Sequence, residues 1–342
     1  MRIEEVSSLD SRWDDYVLGH PCATGYHLIG WKHVMEDAFG HRTCYFMALD
    51  ADGQVRGVLP LVFVASPFFG RFLVSLPFIN YGGILVDTAA SQTSLLNAAV
   101  ERAKELRVSY IELRHEGLLD LGWPAKQHKV SMRLELPNDV DELWSRFPSK
   151  LRSQIRRAQK EGMCVRVGGD EILDDFYQVF SKNMRDLGTP VYGRNFFAQI
   201  SKTFAKNTRI VAVYLQDRPL AAGFLYGFRR VLEIMSASSD RRYNRLAPNM
   251  LLYSSVLNYA CQAGFRVFDF GRSTPGSGTY AFKEQWGARP VQLNWYYWLS
   301  KRDSPPDLSP SNPRYRLAVS AWQRLPLFVS QRLGPSISRS IP

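Results

Sequence analysis

The spacing of apolar and polar residues predicts the same series of elements twice along the chain. In the first series, it predicts a helix over 30–39, strands over 43–49 and 55–64 around an Asp52-Gly53 turn, a helix over 91–106 and a strand over 108–113. In the second series, it predicts strands over 209–215, 220–228 and 231–238, a helix over 248–263 and a strand over 266–270. This weak internal repeat favours a duplicated α/β unit over one continuous barrel.

A basic helix separates the two series and sets the predicted domain boundary. Ser149 is placed to cap a helix that begins at Lys150, and Gly162 ends it. We therefore expect an N-terminal domain over 1–147, a C-terminal domain over 148–300, and a Pro- and Ser-rich linker with an amphipathic tail over 301–342. The tail pattern over 315–333, which Pro326 interrupts, fits either a helix packed on the domain or a contact with a membrane surface.

Composition narrows the class of protein. Of 342 residues, 45% are hydrophobic and 22% are charged, which excludes a disordered chain. The net charge of +11 predicts an anionic partner, such as a nucleotide-linked substrate, RNA or a membrane surface. The four cysteines include no C-x-x-C pair and have no histidine at metal-ligand spacing, so we expect neither a disulfide framework nor a metal site.

The chain shows no sign of export. Its first residues are acidic and polar, without the apolar run of a secretory signal. The most apolar stretch, 58–79, is broken by Pro60, Pro67 and Pro77, so it predicts buried strands with a turn instead of a spanning helix. We expect a cytoplasmic protein that can lie at the inner face of the cell membrane.

Two basic segments are candidate anion sites. The helix that begins at Lys150 carries Arg152 and Arg156 on one face, which fits either phosphate binding or an ordinary solvated surface. The loop 238–249 holds Arg242 among several arginines and leads into a helix N-terminus, where free N–H groups attract phosphate or carboxylate. An ordinary strand-to-helix loop is the alternative interpretation.

The most distinctive chemistry follows the last predicted strand. Asp269 ends that strand and is followed by Gly271, Arg272, two further glycines, Tyr280 and Lys283. Strand ends in α/β folds are where ligands bind, and a lysine there can donate to an oxyanion that develops in acyl transfer. Asp269 could accept the proton of an attacking amine. The alternatives are a surface lysine and a structural aspartate paired with Arg272.

Four stretches of this chain resemble the FemAB-like family, whose members transfer amino acids onto peptidoglycan precursors. They are PSKLRSQIRR (148–157), NMRDLGTPVY (183–192), FDFGRS (268–273) and YAFKEQWG (280–287). The resemblance runs over 25–298. Within the family, the chain is most similar to the bacterial subgroup associated with exosortase (PEP-CTERM) and exopolysaccharide gene clusters.

The resemblance implies an α/β fold of two tandem GNAT-like domains, each a mixed central sheet flanked by helices. In such enzymes, the lysine of an F-K motif stabilises the tetrahedral intermediate, which implies that role for Lys283. Basic residues of the family hold the phosphates of the precursor, which implies that role for Lys150, Arg152 and Arg156. The further substrate-binding candidates of the matching segments and the basic loop are Arg185, Tyr192, Arg242, Arg272 and Tyr280.

The resemblance also implies a donor that visits the site, with no permanently bound cofactor and no metal. The chain lacks the long helical arm with which some family members bind tRNA, and it also lacks the glycine-rich pyrophosphate loop typical of GNAT enzymes. Both aminoacyl-tRNA and acyl-CoA therefore remain candidate donors. The expected partner is an anionic, phosphate-bearing glycan precursor, with peripheral membrane contact through the tail as a further possibility.

Three functions remain open from the sequence. The first is acyl or aminoacyl transfer to an amine of a cell-envelope glycan or peptidoglycan-type precursor. The second is acyl-CoA-dependent N-acylation of an exopolysaccharide sugar. The third is a module without catalysis that binds RNA or a membrane through its basic helix. Because no Ser-His-Asp or Cys-His arrangement is evident, a transferase would use direct attack by the amine.

Overall fold

The computed structural model describes residues 1–67, 69–300 and 316–341. Its strands are β1 (Arg2–Val6), β2 (Arg42–Leu49), β3 (Val55–Ser66), β4 (Gly70–Val74), β5 (Leu85–Val86), β6 (Tyr110–Glu116), β7 (Ala125–Glu135), β8 (Met163–Gly168), β9 (Thr208–Leu215), β10 (Arg218–Phe228), β11 (Val231–Ser239), β12 (Val267–Ser273) and β13 (Arg289–Leu299).

The α-helices are α1 (Ser11–Gly19), α2 (Gly30–Phe39), α3 (Ala89–Glu105), α4 (Val140–Arg146), α5 (Ser149–Gln159), α6 (Leu173–Leu187), α7 (Arg194–Thr203), α8 (Pro248–Gln262), α9 (Gly278–Glu284), α10 (Arg316–Gln323) and α11 (Leu327–Ser338). A 3₁₀ helix over Arg241–Leu246 lies directly before α8.

The chain forms two compact units. The first unit contains Met1–Lys129 with the described parts of Gln292–Leu308 and Ile337–Pro342. The second unit contains Val130–Val291 with the described part of Ser309–Ser336. The predicted boundary at residue 147 differs from this division. Leu143 and Phe147 pack in the same apolar core as Leu151 and Ile155, so the segment before α5 belongs to the second unit.

The first unit is a mixed sheet in the order β1-β2-β3-β4-β6-β13. Its neighbours are antiparallel except β4 and β6, which run parallel over Phe72–Val74 and Tyr110–Glu112. One apolar core lies between the sheet and α3, where Leu95 and Ala99 are fully buried. On the other core of this unit, Trp13 of α1 stacks on Tyr45 of β2.

The second unit repeats this architecture in the order β7-β12-β11-β10-β9-β8. Again the neighbours are antiparallel except one pair, β11 and β12. Helices α5 and α8 pack together over one apolar core, which includes Leu151, Ile155 and Val256. Helix α6 packs on β10, where the ring of Phe176 contacts that of Phe224. The prediction of two tandem α/β units is therefore confirmed.

Each sheet is completed by a strand that comes from the opposite half of the sequence. Strand β13 pairs with β6 in the first unit, with Leu293 opposite Glu116. Strand β7 pairs with β12 in the second unit, with Glu135 opposite Val267. The first sheet therefore needs β13 from far along the chain, whereas the second sheet is built from the continuous stretch 125–273 and includes a strand that precedes the predicted boundary at 147.

Local predictions at helix ends were right in part. Helix α2 covers its predicted range, and α5 begins at Ser149, one residue before the predicted start at Lys150. Ser149 does not cap it, because Pro148 holds the N-cap position and no side chain bonds the first turn. The predicted tail helix over 315–333 is two helices, α10 and α11, separated by 324–326. Part of that tail, residues 301–315, lies outside the described residues.

The tail helices pack against α6 of the second unit. Arg185 Nη1 donates to the carbonyl oxygen of Leu325 at 3.0 Å, and Gln331 Nε2 donates to Ser181 Oγ at 2.9 Å. A Cβ added at Gly188 would meet Val319 at 2.5 Å, so the close approach requires a glycine there. Among the described helices, none has both the length and the apolar run that a membrane crossing requires.

The exchanged strands generate a testable prediction. We expect that a protease site inserted beside Leu118, the 77% exposed residue after β6, can be cut without separating the two fragments. The C-terminal fragment would still supply β13 to β6. Size-exclusion chromatography of the cut protein measures this, and elution of two separate fragments under native conditions would contradict the assignment of β13.

Candidate functional site

A cavity of about 250 Å³ lies in the second unit. Its walls come from α6, β11, α8 and α9, and the lining residues are Asn183, Ala237, Ser238, Ser239, Asn249, Tyr253, Gly278, Thr279, Phe282 and Lys283. The wall thus combines polar side chains with apolar surface, including two aromatic rings, and the one cation among the described lining residues is Lys283. Concave sites with a few converging polar groups are typical ligand sites.

The cavity forms where two parallel strands stop pairing. Strands β11 and β12 pair only over Val231–Glu233 and Val267–Asp269, although both continue further. Beyond this point, the edge of β11 that faces β12 is open, and Ser238 and Ser239 of this edge line the cavity. Backbone groups released from a sheet ladder need another partner, so such an edge is suited to bind a ligand.

Asp269 fixes the local shape of β12. The residue is fully buried, and its Oδ1 accepts hydrogen bonds from the Gly271 N–H at 2.7 Å and from Ser131 Oγ on β7. Its Oδ2 accepts from Arg133 Nε at 3.0 Å. The pairing of β12 with β7 shifts register between Asp269 and Arg272, and Gly271 lies at φ 73°. A glycine suits this left-handed bulge because it has no Cβ.

The Lys283 side chain also binds this bulge, through its carbonyl oxygens. Helix α9 begins after Ser277, whose side chain accepts from the Tyr280 N–H, and it carries Lys283 in its last turn. Lys283 Nζ donates to the carbonyl oxygens of Gly271 and Arg272, both at 2.9 Å. An ammonium group has three N–H donors, so one remains for a ligand in the cavity that Lys283 lines.

Burial also tunes the charge of Lys283. The side chain is only 8% exposed, and this desolvation lowers its pKa to about 8, against the opposing effect of the Asp269 and Glu233 carboxylates. Near neutral pH the group is still mainly an ammonium ion. It is therefore a positive charge in a largely dry setting, where it interacts more strongly than in water.

A second ion cluster lies beside the cavity-lining residues Asn183 and Ser239. Lys182 of α6 and Arg242 both donate to the buried carboxylate of Asp240, with Nζ at 2.5 Å and Nη2 at 2.7 Å. Burial acts to raise the pKa of Asp240, but these hydrogen bonds outweigh it and hold that pKa well below its usual range. Next to Lys182, Asn183 Nδ2 donates to Ser238 Oγ at 3.1 Å. The cluster thus ties α6 to the end of β11.

The two predicted basic segments form one surface. Arg157 Nη2 of α5 donates to the carbonyl oxygen of Arg245 in the 3₁₀ helix, at 3.1 Å. Arg156 is exposed and lies 5.4 Å from the ring of Trp144. Lys150 is exposed and Arg152 half-buried on the same helix. However, the lining of the cavity as described contains no residue of α5, so the expected cavity shared by Lys283, Arg152 and Arg156 is not formed by these side chains.

The remaining predicted site residues have other surroundings. Arg185 binds Asp186 and the tail helices, because its guanidinium bridges Asp186 Oδ1 and Leu325 O. The Tyr192 ring packs on Phe196, and its carbonyl oxygen accepts from Tyr177.

The predicted site residues close to Lys283 in the sequence are not among the residues that line the cavity. Tyr280 packs against the apolar core. Arg272 is exposed, and its carbonyl oxygen is the group that contacts Lys283. Asp269 is fully buried, and its carboxylate accepts hydrogen bonds from Arg133 and Ser131 of β7 and from the Gly271 N–H. This arrangement matches the alternative of a structural aspartate, with Arg133 as the ion-pair partner that the structure shows.

Apart from Lys283, the sequence did not single out the polar or aromatic residues of the cavity as site residues; these are Asn183, Ser238, Ser239, Asn249, Tyr253, Thr279 and Phe282. A signal existed for two of them. Asn249 and Tyr253 are four residues apart on a helix that was predicted, and this spacing places them on one face. For Asn183 and Ser238, the hydrogen bond between them joins residues 55 positions apart, which spacing along the chain does not reveal.

In the first unit, the chain itself bonds to the edge of β6 beyond the parallel pair. After β4, the chain folds back against β6, with Ser75 N–H bonded to Glu112 O and Gly82 N–H to Arg114 O. Arg114 is buried there and pairs with Glu112 at 2.6 Å. Residues 75–84 thus occupy the gap that is open in the second unit. Within the described part of the chain, no three His, Cys, Asp or Glu side chains group as metal ligands would.

Comparisons with known proteins agree with this geometry. Residues 145–284 match the family described as "Acetyltransferase (GNAT) domain". The crystal structure of FemX superposes with a TM-score of 0.68 at 17% identity, over 92% of this chain and 100% of FemX. A tandem GNAT protein from the clavulanic acid biosynthesis pathway gives 0.57 at 13% identity, over 90% and 99% of the two chains.

A third similar structure is the C-terminal domain of a putative lysylphosphatidylglycerol synthetase from Agrobacterium fabrum. It gives a TM-score of 0.57 at 14% identity, over 83% of this chain and 90% of that one. Among curated proteins, none matches the sequence significantly. The structural matches establish a tandem GNAT-like fold, as the sequence predicted.

The buried carboxylate generates a stability prediction. Asp269→Ala leaves Arg133, Ser131 and the Gly271 N–H without their shared acceptor, so we expect a loss of about 3–5 kcal/mol in the free energy of unfolding. Urea unfolding followed by circular dichroism measures it. The control is Glu284→Ala on the exposed side of α9. Equal unfolding midpoints for the two variants would show that Asp269 does not hold the bulge.

Proposed function

We propose that this protein is a transferase that moves an acyl or aminoacyl group onto an amine, with Lys283 as the catalytic cation of the second unit. The observation that carries this proposal is the position of the Lys283 ammonium: it is anchored on two carbonyl oxygens and lines the cavity beside the open edge of β11. A match of residues 145–284 to an acetyltransferase (GNAT) domain supports the same reaction class.

The chemistry needs one positive charge at the carbonyl oxygen. The acceptor amine attacks the acyl carbon, a C–N bond forms, and the bond from that carbon to the donor oxygen or sulfur breaks. In between, the carbonyl oxygen carries negative charge, which the free N–H of Lys283 stabilises. The amine proton leaves with the departing group of the donor or with solvent. Asp269 takes no proton in this scheme, because its oxygens already accept three hydrogen bonds.

The acceptor that we propose is a phosphate-bearing cell-envelope precursor, of the peptidoglycan type or a glycan linked to exosortase and exopolysaccharide systems. The resemblance of the sequence to FemAB-like proteins and the likeness of the fold to FemX support it. The joined basic surface of α5 and the 3₁₀ helix offers Lys150, Arg156 and Arg157 for phosphate groups.

For the donor, the N-terminus of α8 favours aminoacyl-tRNA over acyl-CoA. A pyrophosphate bound at a helix N-terminus needs free backbone N–H groups. Here Pro248 has no N–H, the Met250 N–H bonds to Ala247 O, and the Ala247 N–H bonds to Asn244 O. The 3₁₀ helix and the first turn of α8 therefore leave the Ala247, Pro248 and Met250 positions without a free N–H for a CoA pyrophosphate, while the exposed arginines of the 3₁₀ helix can contact a polyanion.

Replacing Lys283 tests the catalytic role. We expect Lys283→Met to lower kcat by about 10²–10³-fold, which is the usual cost of removing one oxyanion donor. Single-turnover transfer from radiolabelled aminoacyl-tRNA to a lipid- or nucleotide-linked precursor measures it. Lys202→Met, at an exposed lysine of α7, is the matched control and should keep wild-type turnover. Wild-type kcat in Lys283→Met would end the assignment.

Because Lys283 also holds the bulge, a second readout separates catalysis from structure. The role requires the ammonium form, and burial lowers the pKa of Lys283 to about 8, so wild-type kcat should fall as pH rises through 8. If Lys283 only supported β12, its replacement would lower the free energy of unfolding by about 1–3 kcal/mol. The wild-type kcat would then not fall as pH rises through 8.

The donor is tested by titration of the whole protein. We expect isothermal titration with coenzyme A to show no saturable heat at millimolar ligand, and aminoacyl-tRNA to bind with an affinity that falls steeply as salt rises. Tight coenzyme A binding together with transfer from acyl-CoA would instead assign the protein as an acyl-CoA-dependent N-acyltransferase. In that case the Lys283 result still tests the reaction itself.

A further inference from the structure

We propose that α10 and α11 form a docking surface for an anionic lipid membrane. We call it the tail surface. It consists of the exposed apolar residues that these helices contribute in the second unit together with the exposed arginines of the same segment: Leu317, Phe328, Leu333, Arg324 and Arg332. This inference does not rest on the proposed transfer reaction, because it concerns helices outside the described cavity wall.

The first observation is exposure. Leu317 is 87% exposed and Phe328 is 71% exposed, and Leu333 is also exposed. Ten large hydrophobic residues of the described chain are exposed, and these three come from the tail segment 317–333 of the second unit. Scattered single apolar residues on a surface need no explanation, whereas a concentration of them marks an interaction site.

The second observation is that these helices are held firmly by their other side. In α11, the buried residues are Ser330, Gly334 and Ser338, at a spacing of four that marks one face. A Cβ added at Gly334 would meet Val191 at 2.7 Å, which shows how closely that face packs. Phe328 and Arg332 are four residues apart, so they share a face of α11, and this face does not include the buried residues.

The third observation is charge. Residues 316–336 contain three arginines and no aspartate or glutamate, and Arg324 and Arg332 are exposed. Apolar side chains beside exposed arginines are the composition of helices that lie in the interface of anionic membranes. The aliphatic parts of the arginines can rest on the apolar layer while their guanidinium groups reach the lipid phosphates.

The same charge argues against a second copy of the chain as the occupant. A two-fold dimer would place each tail surface on its twin and would bring exposed arginines against arginines without any carboxylate in the segment. In such a dimer the arginines would repel each other, whereas the phosphates of anionic lipids would attract them. Charge complementarity therefore selects a negatively charged lipid surface.

The test uses the full-length protein and vesicle sedimentation. We expect the protein to bind vesicles of phosphatidylcholine mixed with phosphatidylglycerol, and to bind pure phosphatidylcholine vesicles weakly. The double variant Leu317→Ser/Phe328→Ser should bind the mixed vesicles at least about tenfold more weakly, since each buried apolar side chain contributes that much or more. Arg324→Gln/Arg332→Gln should lose roughly fivefold for each arginine and should lessen the dependence on salt.

Leu118→Ser is the matched control, because it removes an equally exposed leucine from the first unit. Its vesicle binding and the unfolding midpoints of all variants should equal those of the wild type. Wild-type binding by the Leu317→Ser/Phe328→Ser variant, or equal binding to both kinds of vesicle, would overturn the proposal. So would a concentration-dependent dimer in analytical ultracentrifugation that Phe328→Ser abolishes, since the tail surface would then be a self-association site.

Discussion

The site depends on the bulge of β12, where the Asp269 carboxylate binds a backbone N–H and the Lys283 ammonium binds two backbone carbonyl oxygens. Asp269 binds the Gly271 N–H, which turns the chain through a left-handed conformation, and Lys283 then binds the carbonyl oxygens that this turn presents. The bulge lies where β12 leaves its parallel neighbour β11. Two opposite charges thus stabilise an interruption of the sheet that would otherwise cost hydrogen bonds.

The two units share one architecture but differ at the sheet edge beyond their parallel strand pair. Both contain a single parallel strand pair with three residues on each strand in register. In the first unit, residues 75–84 and the buried Arg114–Glu112 pair take up the space beyond that pair. In the second unit, α6, α8 and α9 leave a cavity there. The difference lies in the segments between the strands, not in the order of the strands.

Much of the fold could be predicted from the sequence because hydrophobic spacing reports local structure directly. The bounds of α2 and the repeated series of elements were accessible in this way. Lys283 was singled out by its place after the last predicted strand and by the F-K motif of the resemblance. The pairing of β7 with β12 and of β13 with β6 was not, because alternation identifies a strand but not its neighbour. The role of Asp269 stayed open for a related reason: a carboxylate at a strand end looks the same in sequence whether it meets a ligand or Arg133.

The late arrival of β13 affects how the protein is made. Tyr110, Ile111 and Leu113 lie on β6, and this strand has no partner on its β13 side until that distant strand has been synthesised. Since Leu293 follows Glu116 by about 180 residues and ribosomes add about 5–20 residues per second, the apolar edge of β6 waits for roughly 10–35 s. An open edge of this kind can recruit other nascent chains, so production of this protein at high level should depend on chaperones that shield it until translation ends.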